Sequence, residues 1–344
     1  MLYSIVFIDF SGGDMTNFKY NLVKKDLVKK IINISFFPYV FQVLTLFFLF
    51  LLVVNGFLTG IIENDSSSFI KIIRKTNFTT LFVWGVWWPF LVISTILFGR
   101  IWCLACPTEL LNNISYRVSR KLGIKGFTMP KWIRAGYFAL FSYLILQFLV
   151  AGFDIHRIPL YSSIVLLTMF IMAILSGIIF KEHRSYCYGF CPAVLLLNAY
   201  SKISPFVLSR DDDDTCYNCK TKECVSPKNL NNHNKRSCPS YLRPYNLDAN
   251  DNCVICFQCA KSCPSNNIGY GLKKEGKISD SASLTMPSAL FVIFALGFVS
   301  HELFGENTML DEIFHYIPQK VSAIVNVPFL FPWIEAIWFL LIIP

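Results

Sequence analysis

The chain has 344 residues, of which 54% are hydrophobic and only 15% are charged. Soluble domains are about a quarter charged, so this composition excludes an ordinary soluble domain and indicates a membrane protein with a smaller soluble part. The net charge of +9 arises from Lys and Arg residues that cluster beside apolar segments. We therefore assign these residues to membrane topology and not to nucleic-acid binding.

The chain begins with a segment in which we recognise no cleavable signal peptide. Met15 follows Ser-Gly-Gly-Asp and precedes a basic amphipathic segment, so we hypothesise that translation starts at Met15. We assign residues 1–35 to a cytoplasmic N-terminal segment.

Five apolar stretches approach or exceed the roughly 20 residues that a helix needs to span a bilayer. They are Phe36–Ile62, Phe78–Phe98, Ile133–Phe153, Pro159–Phe180 and Met286–Phe304, and a shorter sixth stretch covers Phe329–Pro344. We predict a four-helix membrane region over 36–192 that carries two Cys-Pro pair repeats. Residues 286–344 then hold the fifth span, an extracytoplasmic loop and the start of a sixth span.

The distribution of Lys and Arg predicts the orientation, because the richer side of a membrane protein is cytoplasmic. Five lysines precede the first span, whereas the loops after the third and fifth spans carry only Arg157 and Lys320. The loop after the first span, with three basic residues, is ambiguous. We expect a multi-pass protein of a bacterial-type cytoplasmic (inner) membrane, with its N-terminus and residues 193–285 on the cytoplasmic side.

Residues 193–285 contain two cysteine runs with iron–sulfur spacing. The runs are Cys216-x-x-Cys219-x4-Cys224 with a later Cys238-Pro239, and Cys253-x-x-Cys256-x-x-Cys259-x-x-x-Cys263-Pro264. In two-cluster ferredoxins, the last cysteine of each run binds the other cluster. We predict one [4Fe–4S] cluster on Cys216, Cys219, Cys224 and Cys263, and another on Cys253, Cys256, Cys259 and Cys238.

The fold class that follows is a polytopic α-helical membrane protein with an inserted bacterial two-[4Fe–4S] ferredoxin-like (α+β) domain. The alternative for the two runs is a pair of zinc sites or a disulfide framework, because Cys-x2-Cys spacing also fits zinc. Zinc sites rarely use three cysteines at successive two-residue gaps followed by Cys-Pro. The first run departs from the ferredoxin pattern by two extra residues before Cys224 and a long insertion before Cys238.

Two further cysteine pairs close the second and fourth spans as an internal repeat. They are Cys103 with Cys106 and Cys187 with Cys191, each followed by proline and preceded by an arginine, Arg100 or Arg184. Side by side, the two units would bring four thiols together at the membrane surface. Three interpretations stay open: a third metal or cluster site, redox-active dithiols, or cysteines that merely cap helix ends. The arginines favour thiolates in the first two.

The combination of repeated Cys-Pro pairs with two ferredoxin-type runs resembles the membrane polyferredoxins of the NosR/NapH type, over roughly 36–304. Related proteins assist cytochrome oxidase assembly. The resemblance implies electron transfer at the cytoplasmic membrane, from the quinol pool toward a respiratory reductase. Two departures stand out: Cys103 and Cys106 are two residues apart where the family generally has three, and no flavin-bearing domain precedes the first span. A flavin is therefore not supported.

We find no phosphate loop, nucleophile elbow or pair of catalytic carboxylates. The cysteine runs indicate an electron-transfer subunit that passes single electrons, and the resemblance implies that it does so between the quinol pool or a cytoplasmic donor and other respiratory-chain redox subunits. The alternative is a redox or metal assembly factor for a respiratory oxidase or reductase. Weaker candidates are His156 and His301 with Glu302, which together could form a quinol-oxidising site or ligate a haem between helices. Glu335 is a further candidate, because an ionisable group inside an apolar stretch is a functional candidate by default.

Overall fold

The computed structural model describes residues 17–62, 72, 76–153, 155–247, 250, 252–273, 285–305, 313–325 and 330–342. The hypothesis that translation starts at Met15 falls outside these residues. The helices, in chain order, are α1 (Asp26–Asn33), α2 (Tyr39–Ile62), α3 (Phe78–Phe98), α4 (Trp102–Ala105), α5 (Pro107–Lys121), α6 (Lys131–Arg134), α7 (Tyr137–Phe153), α8 (Pro159–Ile179), α9 (Ser185–Gly189), α10 (Val194–Lys202), α11 (Asp213–Tyr217), α12 (Gln258–Ser262), α13 (Met286–Gly305), α14 (Tyr316–Val325) and α15 (Phe331–Ile342).

Three of these helices are long and apolar enough to cross a bilayer: α2, α3 and α8. They coincide with the first, second and fourth predicted spans. The third predicted span is shorter than expected, because the chain turns at Gly136, which has a left-handed φ of +99°, and α7 begins only at Tyr137. The fifth and sixth predicted spans are also apolar helices, α13 and α15, with shorter apolar segments. The full number of spans stays a prediction.

The three long helices pack around one another and expose apolar faces outward. α8 packs against α2 and α5, and Leu49, Leu52, Leu166 and Phe170 lie in their shared core. On the opposite face of α2, large apolar side chains are more than half exposed, as Phe47 shows at 62%. Such a continuous apolar surface is unusual in a soluble monomer and suits contact with lipid.

A three-stranded antiparallel sheet lies beside the helices, with strand order β1-β3-β2. β1 is Phe18–Asn21, β2 is Phe206–Arg210 and β3 is Ile268–Lys273. β2 pairs with β3 in continuous register from Phe206 opposite Leu272 to Arg210 opposite Ile268. The N-terminal segment therefore supplies an edge strand to the sheet that carries the ferredoxin-type region.

Close approach of β1 to β3 requires glycine at position 271. A Cβ atom there would lie 1.8 Å from the carbonyl oxygen of Tyr20. Because no side chain tolerates that distance, Gly271 is what allows the N-terminal strand to join the sheet.

Candidate iron–sulfur sites

The first cysteine set, made of Cys216, Cys219, Cys224 and Cys263, lines a single pocket. Cys216 lies on α11, whose N-terminus is capped by the Asp212 carboxylate, which accepts a hydrogen bond from Thr215 N at 2.7 Å. Cys224 lies on the 3₁₀ turn Glu223–Val225, and Cys263 directly follows α12. Sequence-local turns and one long-range connection thus bring the four thiols together.

Asn267 hydrogen-bonds two sulfurs of the first set that lie far apart in the sequence. Its Nδ2 donates to Cys216 Sγ at 3.1 Å, and its backbone N donates to Cys263 Sγ at 3.3 Å. Hydrogen bonds to sulfur stabilise the thiolate and tune the potential of a bound cluster. Neighbouring residues lie at the surface, since Tyr217 is 87% exposed. At the edge of this set, a backbone hydrogen bond from Lys222 lowers the pKa of Cys219.

The second cysteine set is made of Cys253, Cys256 and Cys259, which are buried, and Cys238, which is partly exposed. Burial, followed by the proximity of Cys238, raises the pKa of Cys253 to about 12, and burial followed by Cys238 also raises the pKa of Cys259. The loop turns twice within a few residues, because Ile255 and Phe257 have left-handed backbones with φ of 46° and 57°. These turns wrap the loop so that its three thiols and Cys238 come together.

The two sets are the same two groups of four that the exchange of terminal cysteines predicts. They also adjoin each other: Cys238 N donates to the Cys224 carbonyl oxygen at 2.8 Å, and Cys224 is an electrostatic neighbour of Cys259. The role of these thiols as ligands stays a prediction.

The third cysteine set, made of Cys103, Cys106, Cys187 and Cys191, lines one apolar cavity at the ends of α3 and α8. α3 ends at Gly99, whose φ of +65° and close approach to Asn250 leave no room for a Cβ. The chain then places Cys103 on α4, and Cys106 caps the start of α5 at Pro107. The second repeat does the same with α9. The structure therefore brings both Cys-Pro pairs to one place.

Burial dominates the chemistry of the bare thiols in the third set. It raises the pKa of Cys106 to about 11 and the pKa of Cys191 to about 12, and it raises the pKa of Cys187 well above its ordinary value. A bound metal ion is what deprotonates a buried thiol outright.

Around the third set lies a buried charge network that the sequence did not predict. Glu109 Oε1 accepts from Arg184 Nε at 3.1 Å and from Arg236 Nη2 at 3.3 Å, while Gln42 Nε2 donates to Oε2 at 2.7 Å. Burial works to raise the pKa of Glu109, and the two guanidinium groups more than offset it, so the pKa falls to about 2. The available signal was a carboxylate two residues after a Cys-Pro pair in an apolar context.

Arg184, a member of this network, has a strained left-handed backbone conformation with a φ of +58°. A left-handed non-glycine residue costs about 1–2 kcal/mol. The buried ion pair with Glu109 and a hydrogen bond to Ser240 Oγ at 3.3 Å hold the residue in this conformation.

The third set also adjoins the second. Val254, which follows Cys253, lines the cavity of the third set, and Cys256 packs in the same apolar core as Cys103. The three sets therefore follow one another in space, from the helix ends to the exposed edge of the first set.

The arrangement of the thiols indicates which group the sets would hold. No three His, Cys, Asp or Glu side chains in the described ranges are placed to bind one metal ion together. The first and third sets instead surround a space with four thiols. A cubane suits this arrangement, because each thiolate binds a different iron atom at a different corner.

A separate cavity of about 320 Å³ lies at the other end of the helices, between α7, α13 and α15. Its polar lining comes from Gln147, His156, Arg157 and Glu335, and aromatic residues such as Phe339 complete it. His156 and Glu335 thus share one cavity. The side chains of His301 and Glu302 lie outside the described part of the chain.

Comparison with known proteins supports an iron–sulfur cluster in this chain. The family described as "4Fe-4S binding domain" matches residues 80–125, which contain Cys103 and Cys106 and none of the ferredoxin-type cysteines. The comparison therefore points to the third set, whereas the sequence argument centred on the other two. The number of clusters stays a prediction.

Three curated proteins illustrate what the chain is similar to. Two are uncharacterized proteins of Methanocaldococcus jannaschii: MJ0750 is 26% identical over 67% of this chain and 94% of its own length, and MJ0749 is 26% identical over 66% and 83%. The third, named "Putative electron transport protein YccM" in Escherichia coli, is 23% identical over 60% of each chain. No solved structure matches.

Proposed function

We propose that this protein is a membrane-anchored iron–sulfur protein that passes single electrons between the quinol pool or a cytoplasmic donor and a respiratory reductase partner. One observation carries the proposal: twelve cysteines form three adjoining sets of four, arranged from the membrane helices to an exposed edge. A [4Fe–4S] cluster, when bound, accepts and gives one electron at a time. The relative named for electron transport supports the same role.

The protein's own contribution is spacing, burial and hydrogen bonding. In the second set, Cys253, Cys256 and Cys259 are buried, with Cys256 at 8% exposure, and Cys238 is partly exposed, so little solvent reaches the middle of the three adjoining sets. The first set lies beside exposed residues such as Tyr217. We assign electron exchange with a cytoplasmic partner to this edge.

The membrane part of the proposal is multi-pass insertion in a bacterial-type inner membrane, with the first two sets on the cytoplasmic side. The long apolar helices α2, α3 and α8 support insertion. The Lys and Arg bias supports the orientation. The repeated Cys-Pro pairs support kinship with polyferredoxins of the NosR/NapH type.

The cavity that contains His156 and Glu335 supports a role for quinol. It has the size and the mainly apolar lining of a small-molecule site, with a few polar groups. A quinol that loses two electrons must also release two protons, and a carboxylate and an imidazole are groups that can take them.

The decisive experiment is anaerobic purification of the full chain in detergent, followed by iron and acid-labile sulfide analysis and electron paramagnetic resonance. The proposal expects at least about eight irons per chain, four for each cluster. Cys256→Ser should remove one signal and leave the first-set signal. Ser226→Ala, which removes no cysteine, serves as the control. A colourless, zinc-loaded protein would refute the proposal.

The second candidate function, an assembly factor for a respiratory oxidase or reductase, would use the buried pairs of the third set as dithiols. Kinetics separates the two. If the chain transfers electrons during respiration, quinol added to membranes should reduce the centres within the turnover time of respiration. If it is an assembly factor, its depletion should leave respiration intact once the client has matured.

A further inference from the structure

The short helix α1 buries one apolar face and exposes another. Leu27, Ile31 and Ile34 follow the spacing of a single helix face, and they are 72%, 37% and 52% exposed. On a different face, Ile32 is buried in the apolar core that contains Cys259. Single exposed apolar side chains are normal in proteins, but a continuous exposed face indicates a partner surface.

The exposed face of α1 lies next to the start of the first long apolar helix. Phe36, which is 71% exposed, continues the face, and α2 begins shortly after it. Helix α12 holds the link between α1 and α2. Lys261 Nζ donates to the carbonyl oxygen of Ile34 at 2.6 Å, and Gln258 Nε2 donates to that of Phe37 at 3.2 Å. The face is therefore fixed at the end of α2, where the proposed insertion puts the lipid headgroups.

Lysines border this exposed face. Lys25, Lys29 and Lys30 are exposed, and residues 19–36 contain five lysines against one aspartate. Helices with one apolar face and lysines around it lie at the boundary between headgroups and acyl chains, and their positive charges attract anionic lipids. A second copy of the chain would instead bring like charges together across a twofold contact. The charge of the face therefore favours an anionic lipid surface.

The connection from α5 to α6 has the same character. Leu122, Phe127 and Trp132 are 72%, 73% and 53% exposed. Phe127 N donates to the carbonyl oxygen of Ile179 at the end of α8, and the Glu109 network links that end of α8 to the start of α2. Three exposed lysines accompany the apolar residues: Lys121, Lys125 and Lys131. Two separate segments at one end of the long helices thus combine exposed apolar side chains with lysines.

We propose, on the basis of the membrane part of the proposed function, that residues 25–36 and 121–132 are two interfacial segments that bind the anionic headgroup layer of the cytoplasmic leaflet. Their apolar side chains enter the boundary of the bilayer, and their lysines contact the phosphate groups of anionic phospholipids. The buried face of α1 then holds the core around the second cysteine set close to the membrane surface.

The test is hydroxyl-radical footprinting of the full chain in nanodiscs, with the oxidation of each side chain measured by mass spectrometry and corrected for its intrinsic reactivity. One preparation contains only phosphatidylcholine, and the other also contains phosphatidylglycerol. In the anionic nanodiscs, Phe36 and Phe127 should be oxidised as slowly as Phe47 on the exposed apolar face of α2. Tyr217, which is 87% exposed, should react rapidly. Phe36 and Phe127 reacting as fast as Tyr217 would overturn the proposal.

A charge reversal tests the lipid class. Lys30→Glu should speed the oxidation of Phe36 in anionic nanodiscs by at least about fivefold, because it replaces attraction to the anionic surface with repulsion. Lys228→Glu is the matched control, since Lys228 is also exposed but lies in the ferredoxin-type region, and it should leave Phe36 unchanged. If neither phosphatidylglycerol nor Lys30→Glu alters the oxidation of Phe36, the assignment to anionic lipid is wrong.

Two further outcomes are distinguishable. Slow oxidation of Phe36 in both lipid mixtures, together with a dimeric mass by light scattering, would mean that a second copy covers the face, and it would overturn the inference. Rapid oxidation of Phe47 would show that α2 is not in the bilayer, and this would refute the membrane part of the proposed function. Slow oxidation of Phe47 with rapid oxidation of Phe36 would overturn the inference alone.

Discussion

Arg184 Nε lies 3.1 Å from Glu109 Oε1, and both side chains are almost completely buried. Glu109 follows the first Cys-Pro pair and Arg184 precedes the second. The ion pair therefore joins the two repeat units across the cavity that their cysteines line. Arg236, from the insertion before Cys238 in the first ferredoxin-type run, shares the same carboxylate oxygen, so one buried group also connects the helices to the ferredoxin-type region.

Glu109→Gln should strongly destabilise the protein. The amide has the shape of the carboxylate but leaves two buried guanidinium groups without a negative partner, and breaking a buried pair in this way costs about 3–5 kcal/mol. Thermal unfolding in detergent, followed by tryptophan fluorescence, measures the effect. Asp26→Asn, which removes an exposed carboxylate on α1, is the control and should change the midpoint little. Equal midpoints for the two variants would contradict the role of Glu109.

The stabilisation from Glu109 should depend on pH in a defined direction. The pKa of Glu109 is lowered from 4.5 to about 2 in the folded protein. A lowered pKa means that the contribution is fully present above pH 4.5 and is lost as the pH falls toward 2. The difference in unfolding temperature between the unaltered protein and Glu109→Gln should therefore be constant from about pH 7 to 5 and shrink below 4.5. A difference that grows on acidification would contradict this linkage.

Asn267→Ala should shift the potential of the first centre alone. The substitution removes the hydrogen bond from Asn267 Nδ2 to Cys216 Sγ, and loss of a donor to sulfur destabilises the reduced, more negative state. Potentiometric titration should show a more negative midpoint for the first signal and an unchanged second signal. Asn232→Ala, at an exposed position, is the control. Equal shifts in both signals would indicate a general loss of structure instead.

Gly271→Ala should release the N-terminal strand. The added Cβ would lie 1.8 Å from Tyr20 O, which is backbone and cannot rotate away. Amide hydrogen exchange across Phe18–Asn21 should increase by at least about tenfold, equivalent to about 1.4 kcal/mol. Gly85→Ala is the control, because no atom lies within 4 Å of a Cβ built there. Unchanged protection of β1 would show that the sheet adapts.

Sequence reasoning could predict the parts of the site that are formed by residues close to one another in the chain. Cysteines separated by two residues wrap a tight loop, so the grouping around Cys256 follows from spacing alone, and the exchange of Cys238 and Cys263 follows from a rule about such loops. The three longest helices also follow from apolar length. Each of these properties depends on neighbouring residues.

What sequence reasoning missed depends on contacts between distant parts of the chain. Glu109 meets Arg236 across 127 positions and Gln42 across 67, and no local pattern marks such a partner. β1 pairs with β3 although the segment before the first span reads as basic and amphipathic. α7 begins later than the apolar run predicts, because the chain turns at Gly136.

The cavity with His156 and Glu335 allows a direct test of the quinol part of the proposal. Glu335→Gln keeps the shape of the side chain but removes its capacity to take a proton, and loss of a positioned acid or base typically slows a reaction by about 10²–10⁴-fold. Reduction of the centres by quinol should therefore be slower by at least about tenfold, as followed by stopped-flow absorbance. Reduction by dithionite, which does not need this cavity, should keep its rate. Ser300→Ala is the control, because in the described part of the chain Ser300 Oγ donates to the Leu296 carbonyl oxygen of its own helix. If quinol reduces Glu335→Gln at the normal rate, electrons enter the chain elsewhere, and a cytoplasmic donor at the first set becomes the better proposal.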